Sequence, residues 1–313
     1  MDSDLRNKFV DAAIQTYELD VFRNINFAEA SRWMDQQLEA SLALNDNETK
    51  NKRCEFFKIN KSIPEDYTEK ILAVDPFGSV VAGIRHIGGN PDEPFINIWP
   101  SFLIQSIDDL EQVKRAILPS FKVFKPKCLS FWLKPSSKIA QEVEAIITPS
   151  LRVVAGDIED TCNSPVGDVH NVSLSRIKDQ EYWQWYQNLY QVFHKEYPDL
   201  KPWVPVNDCE TMTRSLEQEL LFSIDIDHKR VGLIAAEYEG LLGLSGIYIN
   251  EIVLDKDFKG YGYAKIAQRL FLEEMRGRAN VVWGTIDTRN IASTKTALRV
   301  GRKPCRNEYF LPI

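Results

Sequence analysis

Between Tyr248 and Glu274 the chain reads YINEIVLDKDFKGYGYAKIAQRLFLEE, and the residues there that could hold an anion are two glycines and three lysines. Gly260 and Gly262 stand just before a run with helical spacing, Ile266, Ala267, Leu270, Phe271 and Met275, and offer no side chain to its first amides. Those amides carry the positive end of a helix dipole, and glycine keeps no Cβ between them and an anion. Lys256, Lys259 and Lys265 add positive charge around the same turn. The element before it must be a buried strand, because Ile247, Ile249, Ile252, Val253 and Leu254 are β-branched or apolar. The turn has neither the Gly-Lys-Ser/Thr of a Walker loop nor the three-glycine Rossmann spacing. On spacing alone, a phosphate cradle and an ordinary tight turn are both open.

IVLDKDFKGYGYAKIAQRL resembles motif A of the GNAT (Gcn5-related) N-acetyltransferase superfamily, where a strand and the pattern Arg/Gln-x-x-Gly-x-Gly/Ala precede a helix; Lys259 stands for the usual Arg or Gln. VVWGTIDTRNIASTKTALRVG resembles the family's next strand and helix, with Asn290 and Ser293 in its Asn-x-x-Ala/Ser pattern. The resemblance covers residues from about 168 to 313. It implies acetyl-CoA (coenzyme A) as cofactor. Lys259, Gly260, Tyr261, Gly262, Tyr263 and Ala264 would hold it at the diphosphate, with Asn290 and Ser293 nearby. The backbone of Ile252, Val253 and Leu254, on a strand splayed from its neighbour, would hold the acyl-pantetheine arm.

Acyl transfer to an amine needs a neutral amine, a donor for the developing oxyanion and a proton for the leaving thiolate. The family's usual Glu on the strand after motif A falls at Thr285 here, and its usual Tyr acid at Ala297, so neither role transfers. Glu251 on the motif A strand is the candidate base. Asp287, near the end of the next strand, and Glu237, on the strand before, are further carboxylates, and Tyr309 is the candidate acid, with Tyr248 a second phenol. Strict alternation along a strand predicts that Asn250 and Glu251 point to opposite faces. No cysteine sits in that strand or turn, so direct attack by the amine is expected. A helix from about Asp179 to His194 carries Tyr182, Trp183, Trp185, Tyr186, Tyr190 and Phe193, read mainly as packing, though in this family such rings, with Trp203, can line the acceptor pocket. Arg299 and Arg302 flank Gly301, at a cofactor phosphate or simply solvating a helix end.

At 313 residues and 44% hydrophobic, the chain suits two domains with ample cores. A net charge of −7 disfavours sequence-independent contact with nucleic acid. No apolar run approaches a membrane span, and MDSDLRNKFV lacks a signal-peptide core. The five cysteines are scattered and far from the histidines, so neither a disulfide framework nor a metal site is expected, and a cytoplasmic setting fits.

The first half reads as two helices between Asp4 and Leu44, a loop at Asn45–Arg53 and a strand at Cys54–Ile59. Further strands, a helix from Asp108 to Phe121, and strands at Cys128–Leu133 and Leu151–Ile158 follow. That order is similar to the family's, but QSIDDLEQ before the helix has no glycine and is acidic, which marks a degenerate copy. EDTCNSPVGDV, Glu159 to Val169, places the boundary, giving a degenerate GNAT-like domain at 1–160 and a catalytic one at 168–313. The expected fold is α+β (mixed α/β), each domain a central, mostly antiparallel twisted sheet flanked by helices. The expected function is acetyl-CoA-dependent N-acetyltransferase acting on a primary amine of a peptide N-terminus, a lysine or a small molecule. The alternative is a non-catalytic acyl-CoA-binding regulatory protein.

Overall fold

The computed structural model describes residues 1–165 and 171–313; the domain start expected at residue 168 and the end of the linker at Val169 lie outside them. The chain forms two compact units. The first comprises residues 1–19, 25–150 and 306–313. It contains α1 (Ser3–Ile14), α2 (Phe27–Leu42), α3 (Asn47–Phe57), β1 (Lys70–Val74), β2 (Gly78–His86), β3 (Pro94–Pro100), α4 (Ile107–Ile117), β4 (Cys128–Leu133) and α5 (Lys138–Glu144). Its strands run in the order β1-β2-β3-β4, followed by the last strand of the chain, over a core that includes Tyr67, Ile84, Ile96, Phe121 and Phe131. All neighbours are antiparallel except β3 and β4.

The second unit comprises residues 20–24 and 151–305. It contains β5 (Leu151–Asp157), α6 (Ile158–Asn163), β6 (Val172–Arg176), α7 (Tyr182–Glu196), α8 (Cys209–Glu217), β7 (Leu221–Ile226), β8 (Lys229–Tyr238), β9 (Gly246–Leu254), α9 (Tyr263–Met275), β10 (Val281–Asp287) and α10 (Ile291–Val300). Its strand order is β5-β10-β9-β8-β7-β6, antiparallel except for β9 and β10. The mixed α/β class, with mostly antiparallel sheets flanked by helices, is the one expected.

Three local features differ from expectation. Asn47–Phe57 is helical, where a loop and a strand at Cys54–Ile59 were read. The Asp46 carboxylate accepts the Thr49 N–H (3.0 Å), and polar residues that look loop-like serve as anchors: Lys50 reaches Glu65 (2.8 Å) and Arg53 the Tyr67 carbonyl (2.9 Å). Ile158–Asn163 is a helix at the expected linker, capped by Asp157. The units, finally, are not contiguous halves. β5 pairs with β10, from Leu151↔Asp287 to Asp157↔Val281, and β11 (Lys303–Pro312) pairs with β4, from Asn307↔Leu133 to Pro312↔Cys128. The first unit therefore holds a strand from the far part of the chain, because Tyr309 and Leu311 find their burial there, and the second begins at β5, where Val153 and Val154 are buried, earlier than the expected boundary.

In the first unit β3 and β4 pair over only three residues, Phe95↔Cys128 to Asn97↔Ser130. The helix that follows, α4, is closed by a reciprocal cap: Ser106 Oγ accepts the Asp109 N–H (3.2 Å), and Asp109 Oδ2 accepts the Ser106 N–H (3.1 Å). Side chains thus occupy the amides an anion would use. Among the described residues, no helix is long and apolar enough to cross a membrane.

A chain ended after Arg302 lacks the strand that covers β4, and with it the buried side chains of Tyr309 and Leu311. Loss of two such groups is expected to remove more than about 5 kcal/mol, comparable to a domain's whole stability. Limited proteolysis should then digest residues 25–150; resistance equal to that of the full chain would contradict this pairing.

Candidate active site

The site is built around an irregularity in β9. Ala235 pairs with Glu251 and Ala236 with Ile249, which leaves Asn250 as an extra residue, a β-bulge. The bulge cancels one step of alternation. Asn250 turns to Ser215 and Glu237, and Glu251 to Tyr186 and Tyr190, so both lie on the α7–α8 face rather than on opposite faces as expected. Ile249 and Leu254 belong to the core on the α9 face, with Ile252 packed against it. On its other edge β9 pairs with β10 only from Gly246↔Val281 to Tyr248↔Trp283. Beyond that the strands part, and the edge of β9 that includes Ile252, Val253 and Leu254 has no partner in β10. This is the splay the resemblance implied.

The parted strand leads into the glycine turn. Gly262 stands at the helix start with φ +87° and no side-chain cap, and Gly260 has φ +88°. A Cβ on either would meet nothing within 4 Å. Among the described residues, no hydrogen bond takes up the amides of Gly260 to Ala264. The residues present therefore fit a diphosphate: bare donors, the dipole end and open space coincide. Tyr261 is exposed and Tyr263 half-buried. Lys259 is placed differently from expectation. Its ammonium lies 4.6 Å from the centre of the Phe193 ring and 5.7 Å from that of Tyr197, and burial lowers its pKa. The Lys265 ammonium donates to the Pro165 carbonyl (3.0 Å).

Glu251 is 6% exposed. Tyr186 donates to its Oε2 (2.5 Å), Tyr190 to Oε2 (2.8 Å) and Oε1 (3.1 Å), and Asn207 Nδ2 lies 3.4 Å from Oε2. Burial raises the carboxyl to about 7, opposed by the two phenols and the Ile252 N–H. Burial and the facing carboxylate push both phenols well above their usual value, so they remain protonated donors. A carboxyl half-ionised near neutrality and held by fixed donors is suited to accept a proton.

The same face carries Tyr248, whose hydroxyl lies 2.9 Å from Thr285 Oγ1 and whose ring packs on Trp283. Arg214 pairs with Glu237 (2.8 Å), which in turn accepts from Asn250 Nδ2 (2.8 Å). The segment after α7 reaches both parted strands. Asn207 Nδ2 donates to the Asn250 carbonyl (3.0 Å), and the Trp203 ring lies 3.5 Å from the Arg289 guanidinium, just past β10.

The other residues singled out in the sequence lie elsewhere or act locally. Tyr309 is fully buried in the core of the first unit, stacked on Phe131, with its hydroxyl donating to Glu144 (2.7 Å). Asp287 accepts the Arg289 N–H (2.9 Å) and pairs with its guanidinium (2.7 Å), so it shapes a turn. Asn290 caps α10 by accepting the Ser293 N–H (3.1 Å). Ala297 is fully buried with Val154 and Ile286. Sequence reasoning gave Tyr186 and Tyr190 only packing or pocket-lining roles and did not single out Asn207. The four-residue spacing of Tyr182, Tyr186 and Tyr190 was the available signal, since phenols on one buried stripe require an acceptor and Glu251 is the acid on the facing strand.

No family model matches the chain, and no curated protein is similar to it in sequence. Among solved structures it is similar to a GCN5-related N-acetyltransferase from Sphaerobacter thermophilus (10% identity, 88% of this chain and 94% of that one, TM-score 0.49). It is also similar to a GCN5-related N-acetyltransferase from Kribbella flavida (13% identity, 78% and 89%, TM-score 0.39). A third is Arabidopsis thaliana Naa50 in complex with a bisubstrate analogue (17% identity, 44% and 98%, TM-score 0.33). These similarities are distant, and function has to be argued from the residues.

Folding raises the Glu251 carboxyl from 4.5 to about 7, so the native state holds its proton more tightly than the unfolded chain. The resulting stabilisation is complete below about pH 4.5 and is lost as pH rises through about 7. Glu251→Gln keeps an acceptor for both phenols without the charge. It is expected to be more stable than the parent at pH 8, by on the order of 3 kcal/mol, with little difference at pH 4.5. Denaturant melts at the two pH values measure this, and equal gains at both would contradict it.

Proposed function

We propose that the second unit is an acetyl-CoA-dependent N-acetyltransferase acting on a primary amine of a peptide N-terminus, a lysine or a small molecule. The observation that carries this reading is the uncapped start of α9, with open space above Gly260 and Gly262, directly after a strand that parts from its neighbour. When bound, the cofactor supplies an acyl group activated as a thioester. The amides of Gly260 to Ala264 hold its diphosphate, and the free edge of Ile252, Val253 and Leu254 lines the arm. The amine arrives on the α7–α8 face as an ammonium, drawn by Glu237 and Glu251, and Glu251 takes its proton so that the lone pair is free. Tyr248, with its hydroxyl on that face beside Thr285, replaces Tyr309 as the phenol that returns a proton to the departing thiolate. Free cysteines, among them exposed Cys209, suit the reducing cytoplasm as the setting.

One observation favours the alternative, an acyl-CoA-binding regulatory protein without turnover: Glu251 is almost fully buried, while Thr285 and Ala297 supply neither acid nor base. Free-thiol release from acetyl-CoA separates the two. Release that depends on an added amine supports the enzyme; thermal stabilisation by acetyl-CoA without release supports the binding protein.

Gly260→Glu and Gly262→Asp are each expected to weaken coenzyme A binding at least tenfold, with a melting temperature lowered by only a few degrees. Gly277→Asp is the matched control, because Gly277 also has positive φ (+72°) and open space but lies beyond the far end of α9. Calorimetric affinities unchanged in all three variants would remove the cradle. For turnover, log(kcat/KM) should rise with unit slope below about pH 7 and level above it, and Glu251→Gln should lose about 100-fold in kcat. A Glu251→Gln enzyme with the parent's rate and profile would remove the base.

A further inference from the structure

Arg302 is 4% exposed, and among the described residues its side chain makes one hydrogen bond, from Nη2 to Gln268 Oε1 (3.0 Å). Its Nε and Gln268 Nε2 are buried without partners. No carboxylate lies within ion-pair distance among the described residues, and burial alone lowers its pKa, to about 10, so it stays a cation. The terminal carbonyls of α10 do not compensate, since Ala297 and Leu298 accept the backbone N–H groups of Arg302 and Gly301. Half-buried Arg53 is treated differently: it reaches the Tyr67 and Ile84 carbonyls and lies 3.7 Å from Glu69. A buried guanidinium with no countercharge is unfavourable unless an anion joins it.

Its position says which anion. A Cβ on Gly284 would lie 2.9 Å from the Ile249 carbonyl oxygen and 3.5 Å from Arg302 Nη1. Gly284 and Ile249 are the first residues past the last β9–β10 pair, Trp283↔Tyr248, so the guanidinium lies at the closed end of the cleft. Gln268 belongs to the α9 face of the unit and Glu251 to the other. Ile249 is three strand residues, about 10 Å, back from Ile252. A thioester beside Ile252 would therefore point a short acyl chain at Arg302 while the amine approaches from the opposite face.

We propose that the closed end of the cleft is a carboxylate subsite, in which Arg302 and Gln268 receive the free carboxylate of a dicarboxylic acyl group carried by coenzyme A. The inference rests on the reading of the glycine turn as a coenzyme A cradle, and it assigns the class of acyl donor. Gln268→Glu supplies the missing countercharge from within, so it keeps Arg302 paired and closes the subsite without emptying the core.

Calorimetry with coenzyme A, acetyl-CoA and succinyl-CoA, on the parent and on Gln268→Glu, tests it. The parent is expected to bind succinyl-CoA at least tenfold more tightly than acetyl-CoA. Gln268→Glu should lose that preference while its affinity for free coenzyme A stays within about twofold. Equal affinity of the parent for the two thioesters, with coenzyme A bound, overturns the subsite and leaves the cradle standing. Binding of none of the three overturns both. A preference that persists in Gln268→Glu places the selectivity elsewhere and overturns the assignment to this pair.

Discussion

The arrangement of the second unit follows from one extra residue in β9. With Asn250 inserted opposite the Ala235–Ala236 step, the strand bends away from β10 after Tyr248, and a parallel pair that would otherwise continue is cut to three residues. Bulges re-aim side chains and end pairing in the same stroke. Here the backbone edge from Ile249 to Leu254 becomes available to a ligand, and Asn250 and Glu251 come to share one face. The turn of Gly260 and Gly262 follows at the open end of the gap, where an uncapped helix and two positive-φ glycines leave donors with nothing else to bind.

The bulge also explains how a carboxylate comes to be buried without an arginine or lysine. Glu251 turns into the α7 packing layer, where Tyr186 and Tyr190 supply hydroxyls but no charge. Phenols satisfy a carboxylate's lone pairs yet compensate its desolvation only in part, and the group is left near neutrality rather than strongly acidic. A lysine there would have produced an ion pair with a depressed carboxyl, unsuited to exchanging protons. The first unit shows the contrasting outcome. Its parallel pair β3–β4 is also three residues long, but the helix after it is sealed by Ser106 and Asp109.

Much of this was legible from residue types. The strand, turn and helix from Tyr248 to Glu274, the missing cap and the closed, acidic counterpart in the first half all follow from local composition. What was not legible depends on tertiary register. A single inserted residue has no hydrophobic signature, so alternation placed Asn250 and Glu251 on opposite faces. Asn47–Phe57 was misread because a helix whose exposed surface is polar apart from Phe56 looks like a loop until its Asp46 cap is weighed. Tyr309 looked available near the chain end, but the pairing that buries it lies about 180 residues away in sequence, beyond the reach of local reasoning.

The return of β11 to the first unit bears on how this protein is made. Ribosomes release a chain from its amino end at roughly 5–20 residues per second, and amino-terminal domains commonly fold while the rest is still being translated. Here the earliest residues emerge without their covering strand, because β11 follows β4 by about 170 residues in the chain. The nascent first unit must wait, with β4 an open edge, until β11 has been translated and has cleared the ribosome, an interval in which a chaperone or a silent codon choice has the most to contribute.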